Sequence, residues 1–403
     1  MPEAKALVRR RGTNLPRMGD FNLSVILDAI RRSPDGVSRV ELAGIVGLAA
    51  QTVSNICRRL LDQSLIVEAG KYGSGPGKPR TILRLNPAGM YAIGVHLDPA
   101  ETNFALLDLT GSVVISRKLP TRADADPQET LDGIAEEINS MIAERSIHRS
   151  KIAGLGVATP GPIDPVAGAV VEPPHMQRWG KVALRDQLQK AVDLPVLLDK
   201  DVTAAAVAEI WAGGASGAGS FIFVYMGTGI GSGLVLDDEV VRGSSGNAGE
   251  VGHIIADPDG PECDCGQRGC VKVTCMPENI VAEARTAGVK AVLAASPDSL
   301  QEQVAALAEA AESGDEQAIN VLDRAAERFA VAVSAQTNLL DVDHVVFGGP
   351  FWKHFEAAFL AKLPARLTAR SATGKVHGIE VMSTGVGSDV GAVGAACLVL
   401  EDS

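Results

Sequence analysis

Apolar residues recur at helical intervals in the first part of this chain, and from Tyr91 onward they gather into short runs between glycine-rich turns. Within residues 22–32, Leu23, Ile26, Leu27 and Ile30 share one helical face, and Ser33-Pro34-Asp35-Gly36 stops the helix. Ser38 and Glu41 have capping-box spacing, so a second helix is predicted to carry Val40, Leu42, Ala43 and Val46 until Gly47 turns the chain. A third helix is predicted from about Ala50 to Gln63, with Val53, Ile56, Leu60 and Leu61 inward. Leu65–Glu68 and Thr81–Leu85 flank a basic, glycine-rich segment and predict a β-hairpin. Helix, turn, helix and hairpin in that order predict a winged helix-turn-helix.

The remainder reads as α/β with mixed sheets. Strands are expected at Tyr91–Leu97, Phe104–Asp108, Val113–Leu119, Ile152–Ala158, Val196–Asp199 and Phe221–Met226. Helices are expected at Pro127–Arg145, at Val202–Trp211 and in stretches between Pro277 and Leu339.

Charge sharpens that division. Residues 1–90 carry 14 Lys and Arg against 7 Asp and Glu, whereas the rest of the chain carries 23 against 42. A head of +7 on a body of −19 implies that only the head meets nucleic acid, because phosphate contacts need local cations. The turn-forming Asn86-Pro87-Ala88-Gly89 marks the boundary, which sets the expected units as a basic arm 1–20, a winged helix 21–86 and a body 87–403. No segment has the roughly 18 uninterrupted apolar residues of a membrane span, and no apolar run follows the N-terminal arginines, so a cytoplasmic protein without a membrane partner is expected.

On the third helix Gln51, Thr52, Ser54 and Asn55 face outward near the N-terminus, with Arg58 and Arg59 behind them. Short polar side chains suit base edges and arginines suit phosphates, so this is the expected recognition helix. Ser38 at the preceding helix start and Lys78 and Arg80 on the hairpin complete the expected DNA contacts. A three-helix protein-docking module is the competing reading. Arg9, Arg10, Arg11 and Arg17 either enter a minor groove or lie in a solvated arm.

His253, Cys263, Cys265 and Cys270 form one short cluster. Three thiols and an imidazole complete a tetrahedral Zn²⁺ site with no position left for water, so one structural zinc per chain is expected. The alternatives are a chance group of small buried cysteines or a disulfide.

The segment 152–165, the strand end at Asp201, Gly227-Thr228-Gly229-Ile230-Gly231-Ser232-Gly233, Gly246-Asn247-Ala248-Gly249-Glu250-Val251-Gly252-His253 and the cysteine loop fall in the order seen in the ROK family of repressors and sugar kinases. With the head, the resemblance covers nearly the whole chain. It implies an actin-like (ribonuclease H-like), two-lobed sugar-kinase fold behind the winged helix. It also implies that Asp201 matches the kinase general base, that Glu250 and His253 match sugar-binding positions with His253 also on the metal, and that Gly161 lines the same site.

Departures from the family pattern carry equal information. Where the kinases place an Asp and a Gly-Gly-Thr phosphate turn, this chain has His96-Leu97-Asp98-Pro99-Ala100-Glu101. Pro99 lacks an amide donor and Glu101 repels phosphate, so ATP binding is expected to be lost, leaving Asp201 a vestigial base. Lys200 replaces an Asn and Lys272 a Glu of the family pattern, a local change of about +3 that suggests a phosphorylated or acidic sugar effector or one that differs from glucose at its anomeric end; the alternative is that the lysines pair with Asp201 and Glu250 and leave a pocket for a neutral sugar or none. His175 lies in a loop able to close on the ligand. The expected protein is therefore a sugar-responsive DNA-binding regulator rather than an enzyme. It is expected to bind a palindromic operator as a homodimer or homotetramer, because one winged helix covers too little DNA for strong specificity. A sugar kinase with a regulatory head is the alternative.

Overall fold

The computed structural model describes residues 15–72, 80–121, 125–215 and 217–402. The head contains α1 (Leu15–Arg31), β1 (Val37–Ser38), α2 (Arg39–Val46), α3 (Ala50–Asp62), β2 (Ile66–Tyr72) and β3 (Arg80–Leu85). Helix α1 starts at Leu15, inside the expected arm; Pro16 sits in its first turn, where a missing N–H is harmless. The Ser38–Glu41 capping box is reciprocal, and α2 ends at Gly47 with φ of 67°. Strand β1 is too short to show a period in sequence, yet it pairs with β3 and makes an antiparallel sheet of order β1-β3-β2.

The joint to the body is packed. A 3₁₀ turn spans Pro87–Gly89, Asn86 donates to the Ser64 carbonyl at 2.7 Å, and Lys151 donates to the Ala88 carbonyl at 2.7 Å.

The first lobe contains β4 (Tyr91–Leu97), β5 (Glu101–Asp108), β6 (Val113–Pro120), α4 (Pro127–Glu144) and β7 (Ile152–Thr159). The short strands β8 (Ile163–Asp164), β9 (Ala169–Val171) and β10 (Lys181–Val182) follow, then α5 (Leu184–Val192) and β11 (Val196–Lys200). Helix α6 (Asp201–Ala212) leads to the second lobe, with β12 (Phe221–Met226), β13 (Ile230–Leu236) and β14 (Glu239–Val240). A helical insertion comes next: α7 (Val271–Cys275), α8 (Pro277–Thr286), α9 (Lys290–Ala294), α10 (Leu300–Glu312) and α11 (Glu316–Leu340). Strand β15 (His344–Gly348), α12 (Trp352–Leu360), α13 (Leu363–Arg370), β16 (Glu380–Ser383) and α14 (Val390–Asp402) complete the chain.

Both lobes repeat one sheet plan. The orders are β6-β5-β4-β7-β11 and β14-β13-β12-β15-β16, each with an antiparallel hairpin on one side of the central strand and two parallel strands on the other. Helices α6 and α14 lie between the sheets, and α14 returns to pack on β4 and β7. This packing is backbone against backbone: a Cβ on Gly156 would lie 1.8 Å from the Ala395 carbonyl oxygen, and one on Gly394 would lie 1.7 Å from that of Ala204. Gly156→Ala is therefore expected to overpack this layer and destabilise the protein by about 1–3 kcal/mol, seen as a lower urea midpoint at unchanged slope.

Candidate functional site

The parallel strands β7 and β11 bring two segments together at their C-terminal ends, with Lys200 opposite Thr159 in register. After β7 the chain turns through Gly161, whose Cα hydrogen faces the Lys200 side chain and Asn247: a Cβ there would lie 3.1 Å from Lys200 Cε and 3.2 Å from Asn247 Oδ1. Asn247 accepts from the Ile163 amide at 2.8 Å and donates to the Ile163 carbonyl at 2.9 Å, tying the two lips of the cleft together. Its place in the 246–253 motif was plain in the sequence, but its contact with residue 163 is purely tertiary.

Lys200 is 4% exposed, and its ammonium lies 2.5 Å from Glu250 Oε1 and 3.3 Å from the Ala248 carbonyl. Asp201 opens α6 and accepts from the Val202 amide at 2.7 Å. Burial pushes the Asp201 carboxyl pKa up, opposed by nearby His96 and Lys200. Arg242 reaches Asp199 at 2.8 Å. Lys272 pairs with Asp264 at 2.5 Å instead of facing Glu250. These pairs correct the expectation of a positive pocket, because each added lysine meets a carboxylate. His175 is exposed, and among the described residues no hydrogen bond joins it to Lys200, Asp201 or Glu250.

One lip carries the cysteine loop. Ligand atoms of His253, Cys263, Cys265 and Cys270 all lie within 4.8 Å of one another, so the four can hold a metal ion. The Cys265–Cys270 sulfur separation and the Cys263 Sγ–His253 Nδ1 separation are both 3.6 Å. Those two separations suit the edges of a tetrahedral site with ligand bonds of about 2.2 Å, and the Cys₃His donor set suits zinc. Binding through Nδ1 leaves the His253 Nε2 outside the metal shell. All six cysteines are free thiols in this arrangement.

The turn at His96–Glu101, where the family pattern has a phosphate turn, is closed on itself. Asp98 accepts from the Ala100 amide at 2.9 Å and, across the cleft, from the Thr228 hydroxyl at 2.6 Å. His96 is buried against α14 and meets Tyr225 edge-on at 5.9 Å. Gly231 and Gly233 of the second turn press on Val202 of α6, and Gly349 presses on the Met226 backbone. Packing accounts for these glycines.

In the head, Gln51, Asn55, Arg58 and Arg59 are exposed on α3 and Thr52 and Ser54 are half-buried, while α2 and α3 are inclined at 116°. Arg80 is exposed, 3.7 Å from Glu41. Lys78 and the arginines at positions 9–11 lie outside the described residues. Ser38 is the exception to the expected set. It is 2% exposed and its hydroxyl is held by Glu41 at 2.7 Å, so its polarity serves the α2 cap instead of DNA. Among the described residues no single helix is long and apolar enough to cross a membrane.

Two lobes of equal strand order closing on a shared helix define an actin-like protein of sugar-kinase fold. Residues 92–402 match the ROK family, and the chain belongs to that family. A xylose repressor of Caldicellulosiruptor bescii is 25% identical over 375 residues, 91% of this chain and 92% of its own. A glucokinase of Halalkalibacterium halodurans is 28% identical over 326 residues, covering 77% of this chain and 94% of its own. The crystal structure of a ROK family transcriptional regulator, a homologue of the E. coli MLC protein, superposes with a TM-score of 0.79 at 23% identity, over 96% of this chain and 97% of that one. The regulator's likeness extends over the head, whereas the kinase's is confined to about the length of the body.

Among the described residues the buried Lys200 ammonium has its ion pair with Glu250. Glu250→Gln is expected to cost about 1–3 kcal/mol by removing the anion from a buried cation. Adding Lys200→Met should recover most of that loss, as read from urea unfolding of the single and double variants.

Proposed function

We propose that this protein is a sugar-responsive transcriptional repressor whose sugar-kinase-like body has become a sensor without kinase activity. Residues 21–86, extended upstream by α1, are its winged helix-turn-helix, and 87–403 form the effector and oligomerisation unit. The arm ahead of α1 adds nonspecific phosphate contacts. The observation that carries this reading is the closed turn at Asp98. The carboxylate takes up the Ala100 amide and the Thr228 hydroxyl, and Pro99 supplies no amide, so these three positions offer no donor to a phosphate. Asp201 keeps the position of a general base, with its carboxyl pushed up by burial, so the loss of the phosphate turn and not of the base carries the reading.

The effector we propose is a neutral sugar whose hydroxyls donate to the Asp201 and Glu250 carboxyls and bond to Asn247 and the Nε2 of His253. Paired lysines leave no uncompensated cation to attract phosphate. Zinc at the Cys₃His cluster orders the loop that presents His253 and supplies no chemistry to the ligand. The repressor names among its relatives and the 116° helix pair with outward Gln51, Asn55 and Arg58 support operator binding, with α3 in the major groove of each half-site of a dimer.

Three outcomes are expected. Footprinting of a duplex selected in vitro against the full chain should show protection, and Arg58→Ala should weaken it at every sequence while lowering the salt slope by about 1. D-xylose or D-glucose should raise the melting temperature, while incubation with ATP and either sugar should yield no sugar phosphate; turnover abolished by Asp201→Asn would instead establish the kinase reading. Metal analysis should find one zinc per chain, lost in Cys270→Ser together with sugar-dependent stabilisation.

A further inference from the structure

Helix α6 has one end in the sugar pocket and the other against the DNA head. Its first residue is Asp201, and its twelve residues span about 18 Å. Trp211 is its second-last residue, at the end opposite Asp201. The Arg31 guanidinium, at the end of α1, stacks over the Trp211 ring at 4.3 Å and donates to the Trp211 carbonyl at 3.2 Å. The Trp211 indole N–H donates to Glu401 on α14 at 2.8 Å, and Asp28 holds the other edge of Arg31 at 2.6 Å. Arg31 has only 9% of its side chain exposed, so this is a desolvated contact and not a loose surface pair.

Between those ends α6 has little freedom to absorb a displacement. It is buried from Asp201 to Ile210, it meets α14 at carbonyl distance through Gly394, and a Cβ on Gly233 of β13 would lie 2.3 Å from the Val202 carbonyl oxygen. One face therefore packs on the helix returning to the first lobe, and the other on the second lobe's sheet. A change in the lobe angle must shift this helix as a body, because close-packed interfaces move between discrete arrangements instead of deforming. The apolar core is also continuous from Ile26 and Leu60 in the head through Ala204 and Val207 of α6 to Ala395 of α14.

We propose that α6 is the rod that couples effector binding to the DNA head, and that the Arg31–Trp211 contact is the joint through which it acts. This deepens the repressor reading and rests on it. A sugar bridging Asp201 and Glu250 favours one lobe angle, α6 follows, and α1 is reoriented with the two helices packed on it. The direction of the effect on operator affinity is an outcome of the same measurement.

The test uses the zinc-loaded full chain, its selected duplex, and D-xylose and D-glucose as probes. Wild type, Arg31→Ala, Arg31→Lys and Trp211→Phe are compared for sugar affinity by calorimetry and for duplex affinity by anisotropy, with and without saturating sugar. Wild type should show a change in duplex affinity of about tenfold with sugar. In Arg31→Ala and Trp211→Phe each affinity alone should stay within about threefold of wild type, while the sugar-induced change falls below about twofold. Arg31→Lys keeps charge but not the stacked plane and should fall between. Variants that keep the full sugar-induced change overturn the joint. Loss of duplex binding without sugar would make Arg31 a part of the head's own fold and overturn it too. A wild type that binds neither probe, or shows no sugar-induced change, removes the repressor reading with it, and that failure is visible before any variant is compared.

Discussion

Everything in the body is organised by how closely α14 and α6 approach the two sheets and each other. Carbonyl oxygens of α14 sit where a side chain on Gly94 or Gly156 would begin, and the Ala204 carbonyl of α6 sits where one on Gly394 would begin. Such contact removes side chains from the interface, so the helices transmit displacement without the slack of rotamer changes. It also explains why the central layer is alanine and glycine while bulky aromatics collect elsewhere, as in the Phe329, Phe347, Trp352 and Phe359 cluster of the second lobe.

On that frame the cleft is held by polar links between lobes. Glu250 and Asn247 come from the second lobe and meet Lys200 and Ile163 of the first, while Thr228 reaches Asp98. The Lys200–Glu250 pair takes up a carboxylate of the cleft, and Asp98–Thr228 closes the turn after β4. A ligand that competes for Glu250 must therefore act on the lobe angle, and this makes the same residues suited to sensing.

Much of this was legible in the sequence for local reasons. The Ser38–Glu41 box, the apolar faces of α3 and α4, the strands β4 to β7, β11 and β12 and the Cys₃His spacing all depend on residues within one turn or one hairpin. Helix α14 was not legible: Val-Gly-Ala-Val-Gly-Ala-Ala-Cys-Leu-Val-Leu is apolar on every side, so no period marks its secondary structure. Strand β1 was hidden by its two-residue length.

Residue type also announced chemistry without announcing its partner. Lys200 and Lys272 suggested a cationic pocket until the fold brought Glu250 and Asp264 to them, and Ser38 looked like a DNA contact until its hydroxyl turned inward to Glu41. The sequence by itself determined the helix-turn-helix pattern of the head, the α/β class of the body, the charge division between them and the Cys₃His cluster, because those follow from composition and short-range spacing. Only the tertiary structure decided which charges cancel, that the phosphate turn is closed by Thr228, and that Arg31 rests on Trp211, 180 residues away. Such pairs are set by how sheets and helices stack, and no local pattern encodes them.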